Sequence, residues 1–142
     1  MLQDQSSTDQ LCPCQSGKPF NFCCGPAING SRPAKTAEAL MRSRYSAFSV
    51  GAIDYLVDST APENRREEDH ELLMEQTQIT NWIELKILST KDGLASDSTG
   101  EVTFEASFES PEGDGLLRET SRFRKDDDRW FYVDGDLELI AK

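Results

Sequence analysis

The feature that most constrains this chain is a cluster of four cysteines near its N-terminus. The stretch reads Cys-Pro-Cys-Gln-Ser-Gly-Lys-Pro-Phe-Asn-Phe-Cys-Cys and holds every cysteine of the 142 residues: Cys12, Cys14, Cys23 and Cys24. Two close pairs separated by a turn-rich loop are the arrangement that a tetrahedral zinc ion needs. Four ligands leave no open coordination position, so the predicted zinc is structural rather than catalytic.

Two alternatives to zinc stay open at this point: buried or redox thiols without a metal, and a tight disulfide pairing. The first ten residues have neither a basic start nor an apolar run, so we expect no secretory signal. No stretch approaches the roughly 20 apolar residues of a membrane span. We therefore expect a cytoplasmic protein, in whose reducing compartment clustered cysteines more often bind metal than form disulfides.

The charge of the chain is unevenly distributed. The formal net charge is −11, while the first 35 residues carry three cations and two acids, so the remainder carries −12. A surface this acidic repels the phosphates of nucleic acids and of anionic lipids. We expect neither a nucleic-acid partner nor a membrane partner.

The rest of the chain is predicted to form helices first and an antiparallel sheet afterwards. Gly25-Pro26 is expected to end the cysteine module with a break, and residues 27–35 form a turn-rich linker. A helix is expected from Thr36 to the stop at Gly51, because apolar residues recur at helical spacing between them. Shorter helices are expected at 52–58 and 65–78. The sequence therefore predicts an α+β fold.

Alternation with a period of two predicts the strands, at about residues 82–87, 102–108, 116–125 and 129–134. In the first strand one face is expected to carry Ile83, Leu85 and Ile87, and the other Trp82, Glu84 and Lys86. In the second, the buried face is Val102, Phe104, Ala106 and Phe108. The short turns between them indicate an antiparallel meander.

A second informative stretch is the first long helix, because it places an arginine within the apolar face. At 100° per residue, Arg44 falls between Leu40 and Phe48. A buried guanidinium must find a partner. One interpretation is an ion pair with Glu119 or Asp134, and the other is a pocket in which Arg44 binds a ligand carboxylate or phosphate. The candidate pocket residues are Arg44, Tyr45, Glu119, Trp130, Tyr132 and Asp134. The last three share one strand face by parity.

The cysteine stretch resembles the SEC-C motif, the zinc module best known at the C-terminus of the bacterial SecA translocase. The matching residues are Cys-Pro-Cys-x-Ser-Gly-Lys followed by Cys-Cys-Gly. Gln15 stands where a glycine is usual, and Cys24 where a histidine is often the fourth ligand. In SecA the module contacts the SecB chaperone, so the resemblance implies zinc ligation and a protein partner that contacts this module.

Three blocks together resemble the bacterial YchJ-like family over nearly the whole chain. They are the cysteine stretch, the sequence Ala-Leu-Met-Arg-Ser-Arg-Tyr-Ser-Ala at 39–47, and Arg-Trp-Phe-Tyr-Val-Asp-Gly at 129–135. In that family the body is similar to the nuclear-transport-factor-2-like (cystatin-like) cone, a curved antiparallel sheet wrapped around helices. The resemblance implies a SEC-C zinc module in residues 1–29 and a cone domain in residues 30–142, but no reaction.

Three hypotheses on function follow. The favoured one is a zinc-containing adaptor that contacts another protein. The alternative is a small-molecule binding protein or weak enzyme that uses the pocket around Arg44. The third is a structural zinc domain that stabilises a homodimer through the outer face of the sheet. His70 lies among acidic neighbours and is interpreted as part of a solvated helix face, so no catalytic residue is predicted and enzymatic activity stays open.

Overall fold

The helices precede the sheet, as predicted, in a computed structural model that describes residues 10–141; the first nine residues of the predicted polar lead lie outside that range. The helical part comprises a 3-10 turn at Phe20–Phe22, α1 (Gly25–Asn29), α2 (Ala37–Val50), α3 (Ile53–Asp58), a second 3-10 turn at Pro62–Asn64, and α4 (Asp69–Ile79). The strands are β1 (Asn81–Asp92), β2 (Thr99–Glu109), β3 (Gly115–Asp126) and β4 (Arg129–Ala141). They form one antiparallel meander in the order β1-β2-β3-β4.

Helix α2 begins and ends where the sequence predicts. The Thr36 hydroxyl accepts a hydrogen bond from the Ala39 amide at 3.0 Å, which satisfies one amide of the first turn. Gly51 ends the helix in the left-handed conformation, with φ of 78°. Its buried residues pack against the sheet, so α2 is the central helix of the core.

Several element boundaries differ from the predictions, and β1 and β2 are also longer than predicted. Gly25-Pro26 begins α1 instead of breaking the chain, because proline is well suited to the first turn of a helix. Helix α4 starts at Asp69 rather than near residue 65. The Asp69 carboxylate accepts a hydrogen bond from the Arg66 amide at 2.8 Å, in the turn that precedes the helix. Strand β4 continues to Ala141, well past the predicted end at residue 134.

Register shifts interrupt the sheet at three places, two in β1 and one between β3 and β4, and those at Ile83 and Val133 decide where two candidate site residues point. In β1, Trp82 pairs with Phe108 and Glu84 with Ser107, so Ile83 is the extra residue and is 48% exposed. The predicted face of β1 is therefore wrong at its start. Trp82 joins Leu85 on the helix-facing side, because one inserted residue reverses the alternation.

The bulge at Val133 lies in β4. Tyr132 pairs with Phe123, whereas Asp134 pairs with Arg122, so Val133 has no partner of its own. Before the bulge, Tyr132 faces the helices. After it, Asp134 is turned to the outer face, which corrects the prediction that both share one face.

The cysteine loops and the cone share one hydrophobic core. Cys12, Cys14 and Cys24 are buried in the same cluster as Leu40 and Met41 of α2. The module is therefore packed into the fold rather than tethered to it. The predicted boundary between residues 29 and 30 coincides with the end of α1 and stays a prediction.

Candidate functional site

The first site is the cysteine cluster, in which all four thiols converge. The four sulfur atoms lie within 4.8 Å of one another, with Cys14 Sγ 3.6 Å and Cys24 Sγ 4.0 Å from Cys23 Sγ. The four residues are free cysteines, and Cys12, Cys14 and Cys24 are buried. Four converging thiols of this kind could hold one metal ion.

Short-range hydrogen bonds shape the loop that presents these sulfurs. The Cys12 amide donates to the Lys18 carbonyl at 2.9 Å, which closes the loop between the two cysteine pairs. Ser16 Oγ lies 3.1 Å from Cys23 Sγ, and Ser46 Oγ of α2 lies 3.3 Å from Cys12 Sγ. Hydroxyls beside the sulfurs would orient metal-binding thiolates.

The thiols do not ionise independently. Hydrogen bonds from Cys12 and Cys24 lower the pKa of the Cys14 thiol. Its hydrogen bonds to Cys12 and Cys14 raise the pKa of Cys24, and burial raises that of Cys23. The neighbouring thiols thus favour one thiolate, at Cys14, and oppose a second, so that a bound cation would be needed to stabilise several thiolates together.

The second site is a cavity between α2, α4 and the helix-facing side of the sheet, with a volume of about 480 Å³. Most of its wall is aromatic or aliphatic. The lining residues are Met41, Arg44, Tyr45, Phe48, Gln76, Thr80, Trp82, Phe104, Ala106, Phe108, Leu117, Glu119, Ser121, Phe123, Tyr132, Leu137 and Leu139.

Arg44 is the cation of this cavity. Its Nη1 donates to the Leu56 carbonyl at 2.9 Å and to the hydroxyls of Ser59 at 2.6 Å and Thr60 at 3.3 Å. The guanidinium carbon lies 4.6 Å from the ring centroid of Tyr132. Burial lowers the pKa of Arg44, because desolvation disfavours its charged form.

The ion pair predicted for Arg44 does not form. Within residues 10–141, no carboxylate lies within 4.0 Å of its guanidinium. Glu119 instead accepts hydrogen bonds from Tyr132 Oη at 2.8 Å and Ser121 Oγ at 2.9 Å. The buried Glu119 carboxylate is therefore hydrogen-bonded by two neutral hydroxyl groups. The guanidinium of Arg44 is hydrogen-bonded only to neutral oxygen atoms.

The Glu119 carboxylate lies against Gly135 of β4, which pairs with Ser121 in the sheet. A Cβ on Gly135 would overlap the Glu119 carboxylate and would lie 3.0 Å from the Thr120 carbonyl oxygen. Burial raises the pKa of Tyr132, and the charge of Glu119 raises it further. Tyr132 consequently stays a protonated donor at neutral pH.

Four of the six predicted pocket residues, Arg44, Tyr45, Glu119 and Tyr132, line the cavity. Trp130 does not: it is 2% exposed in the core, and its Nε1 donates to the Lys35 carbonyl at 3.1 Å. Asp134 does not either, because the bulge at Val133 turns it outward onto Arg122.

Sequence reasoning missed most of the aromatic wall. Trp82 was placed on the wrong face, and its ring packs against Phe108 (centroids 5.5 Å apart), Tyr45 (6.0 Å) and Phe48 (6.4 Å). Phe104 and Phe108 were predicted as buried strand residues but not as cavity walls. The alternation in β2 was the available signal, since a buried face opposite a helix can also line a cavity.

His70 lies outside both sites. Its Nε2 is 3.3 Å from Asp54 Oδ1, and its side chain is 53% exposed. This placement matches the solvated helix face predicted from its acidic neighbours.

A curved antiparallel sheet packed on helices, with a cavity between them and a four-cysteine module in front, defines a nuclear-transport-factor-2-like cone domain with a SEC-C-type module. Residues 36–135 match the family described as YchJ, middle NTF2-like domain. The chain belongs to this YchJ-like family, also designated UPF0225. This confirms the predicted family and fold.

Relatives and solved structures agree with that assignment. A UPF0225 protein of Geobacter sulfurreducens is 42% identical over 125 residues, which cover 88% of this chain and 78% of that protein. A UPF0225 protein of Corynebacterium efficiens is 42% identical over 129 residues, which cover 91% of this chain and 95% of that protein.

Two solved structures are described as SEC-C motif containing proteins. The solution structure from Rhodopseudomonas palustris has a TM-score of 0.80 at 36% identity and covers 88% of this chain and 96% of its own. The crystal structure from Psychrobacter arcticus has a TM-score of 0.75 at 26% identity and covers 96% of this chain and 88% of its own. No helix within the described residues is long and apolar enough to cross a membrane.

Proposed function

We propose that this protein binds a small molecule inside its cone and holds a structural zinc ion in its cysteine module. The observation that carries the binding function is the cavity beneath α2. Its volume of about 480 Å³ falls within the roughly 300–1,000 Å³ of typical ligand sites. Apolar walls with a few convergent polar groups, here Arg44, Glu119 and Tyr132, are also typical of such sites.

The test fills the cavity without touching its polar groups. Ala106 is 1% exposed and lines the cavity, so Ala106→Leu places extra methyl groups in the ligand space. Compounds that raise the melting temperature of the wild type should lose about tenfold or more in affinity for this variant, measured by titration calorimetry. Ala95→Leu, at an exposed position in the β1–β2 turn, is the control and should bind normally.

Either of two results would contradict the binding function. One is a flat thermal-shift profile of the wild type across a broad library of small molecules. The other is unchanged affinity in a folded Ala106→Leu variant, whose far-ultraviolet circular dichroism reports on folding.

Zinc is the proposed occupant of the cysteine module. A tetrahedral ion with Zn–S bonds of about 2.3 Å separates its sulfurs by roughly 3.8 Å. The sulfurs of Cys14 and Cys23 are 3.6 Å apart, and those of Cys23 and Cys24 are 4.0 Å apart, which is close to that value. Thiolate ligands favour zinc over hard cations, and they persist in the reducing cytosol where we propose that the protein acts.

Docking of a protein partner on the cysteine module is the second candidate function. It is favoured by two apolar side chains that the module exposes, Leu11 at 63% and Phe22 at 70%. Such side chains fit an apolar groove on another protein.

A matched pair of variants tests docking. Phe22→Ser removes a ring that is 70% exposed, and Leu94→Ser removes a side chain of similar exposure, 65%, in the β1–β2 turn outside the cysteine module. In crosslinking experiments, a defined partner should be lost with Phe22→Ser and retained with Leu94→Ser. Equal behaviour of the two variants would exclude docking through Phe22.

A further inference from the structure

The guanidinium of Arg44 is hydrogen-bonded through Nη1, whereas its other edge, formed by Nε and Nη2, has no partner within residues 10–141. We propose that the ligand of the cavity is an aromatic compound with a single carboxylate, which pairs with this unoccupied edge of Arg44. The inference rests on the proposed binding function and names the chemical class of the ligand.

The carboxylate follows from the shape and fixation of the guanidinium. The bonds from Nη1 and the Tyr132 ring beneath the guanidinium hold it in one orientation. A guanidinium fork matches a carboxylate through two parallel hydrogen bonds, and a pre-oriented fork loses little conformational freedom on binding. A cation held among neutral partners in a mostly apolar cavity gains most from an anionic ligand.

The single charge follows from the other residues of the wall. Among the described lining residues, Arg44 is the one cation and Glu119 the one acid. A dianionic phosphate would therefore carry a second negative charge that no described lining cation compensates. A monocarboxylate matches Arg44 without requiring a second cation.

The aromatic body follows from the walls. Seven of the lining residues carry rings: Tyr45, Phe48, Trp82, Phe104, Phe108, Phe123 and Tyr132. Neighbouring rings pack in tilted or edge-to-face arrangements, as in the Trp82–Phe108 pair, whose ring planes are 63° apart. A planar ring can stack on or edge against such walls, which adds to the energy of burying its area.

The experiment compares four probes on the wild-type chain by titration calorimetry at pH 7: phenylacetate, the neutral phenylacetamide, phenyl phosphate and octanoate. Phenylacetate should bind about tenfold or more tightly than phenylacetamide, because the amide loses the charge-assisted pair. Phenyl phosphate and octanoate should both bind more weakly than phenylacetate.

Two arginine variants locate the effect. Arg44→Lys keeps the charge but lacks the fork, so the preference for phenylacetate over phenylacetamide should fall about tenfold. Arg118→Lys, on the outer face of the sheet where Arg118 pairs with Glu105, should leave the preference unchanged.

The outcomes separate this inference from the binding function. If phenylacetate and phenylacetamide bind equally, or if phenyl phosphate or octanoate binds more tightly than phenylacetate, the inference is overturned while cavity binding stands. If none of the four binds but other library compounds do, the inference alone is again overturned. If Ala106→Leu weakens the binding of phenylacetate, and phenylacetamide does not displace phenylacetate from the wild type, both proposals are supported.

Discussion

At the scale of single residues, Arg42 and Arg44 show how one helix serves two sites. Arg42 donates to the Cys14 carbonyl at 2.7 Å and pairs with Glu38 at 3.0 Å, so it attaches the cysteine loops to α2. Arg44 points about 200° away, into the cavity. Periodicity predicted the direction of Arg44 but not its partners, because residues 56–60 are brought to Nη1 by the α2–α3 packing.

One prediction at this scale concerns Gly135. Gly135→Ala should lower the free energy of unfolding by about 1–3 kcal/mol, because the added Cβ overlaps the Glu119 carboxylate and displaces it from its hydrogen bonds to Tyr132 and Ser121. Urea unfolding measures the change.

A double-mutant cycle provides the control. In the Glu119→Ala background the overlap is gone, so Gly135→Ala should cost less than in the wild type. An equal cost in both backgrounds would show that the carboxylate is not the source of the strain.

At the scale of elements, α2 carries the cysteine module on one side and the cavity on the other. Ser46 Oγ lies 3.3 Å from Cys12 Sγ, while Tyr45 and Phe48 line the cavity. A change in the module should therefore reach the cavity through the position of this helix. Local sequence predicted α2 well, because its cap at Thr36 and its stop at Gly51 are both encoded in single residues.

The corresponding prediction is that the metal stabilises the whole fold. Purified protein should contain one zinc ion per chain by elemental analysis. Chelation at neutral pH should lower the free energy of unfolding by about 3 kcal/mol or more, since metal binding contributes directly to folding. The affinity for cavity ligands should fall in parallel.

Cys14→Ser is the control for this experiment. It removes one buried ligand, so the variant should start less stable and respond little to the chelator. A wild-type protein that contains no metal, or whose stability is insensitive to chelation, would contradict the zinc assignment.

At the scale of the whole molecule, the outer face of the sheet is polar and densely ion-paired. Arg118 pairs with Glu105, Arg122 with Asp134 and Asp136, and Arg124 with Glu63 and Asp126. Exposed pairs such as these contribute little stability each, but they keep the outer face hydrated. The predicted homodimer through this face stays a prediction, and so does the absence of nucleic-acid and membrane partners.

The sequence by itself determined the cysteine cluster, the order of helices and strands, and the buried faces of α2 and β2, because each is encoded in local spacing. The bulges at Ile83 and Val133 were decided by the tertiary structure alone. An extra residue at Ile83 brings Trp82 into the cavity, and one at Val133 turns Asp134 out of it. A bulge inserts one residue without changing the local composition, so the pairing of the curved sheet sets its position. The cysteines keep their predicted convergence, while the chemistry of the cavity depends on which face each strand residue reaches.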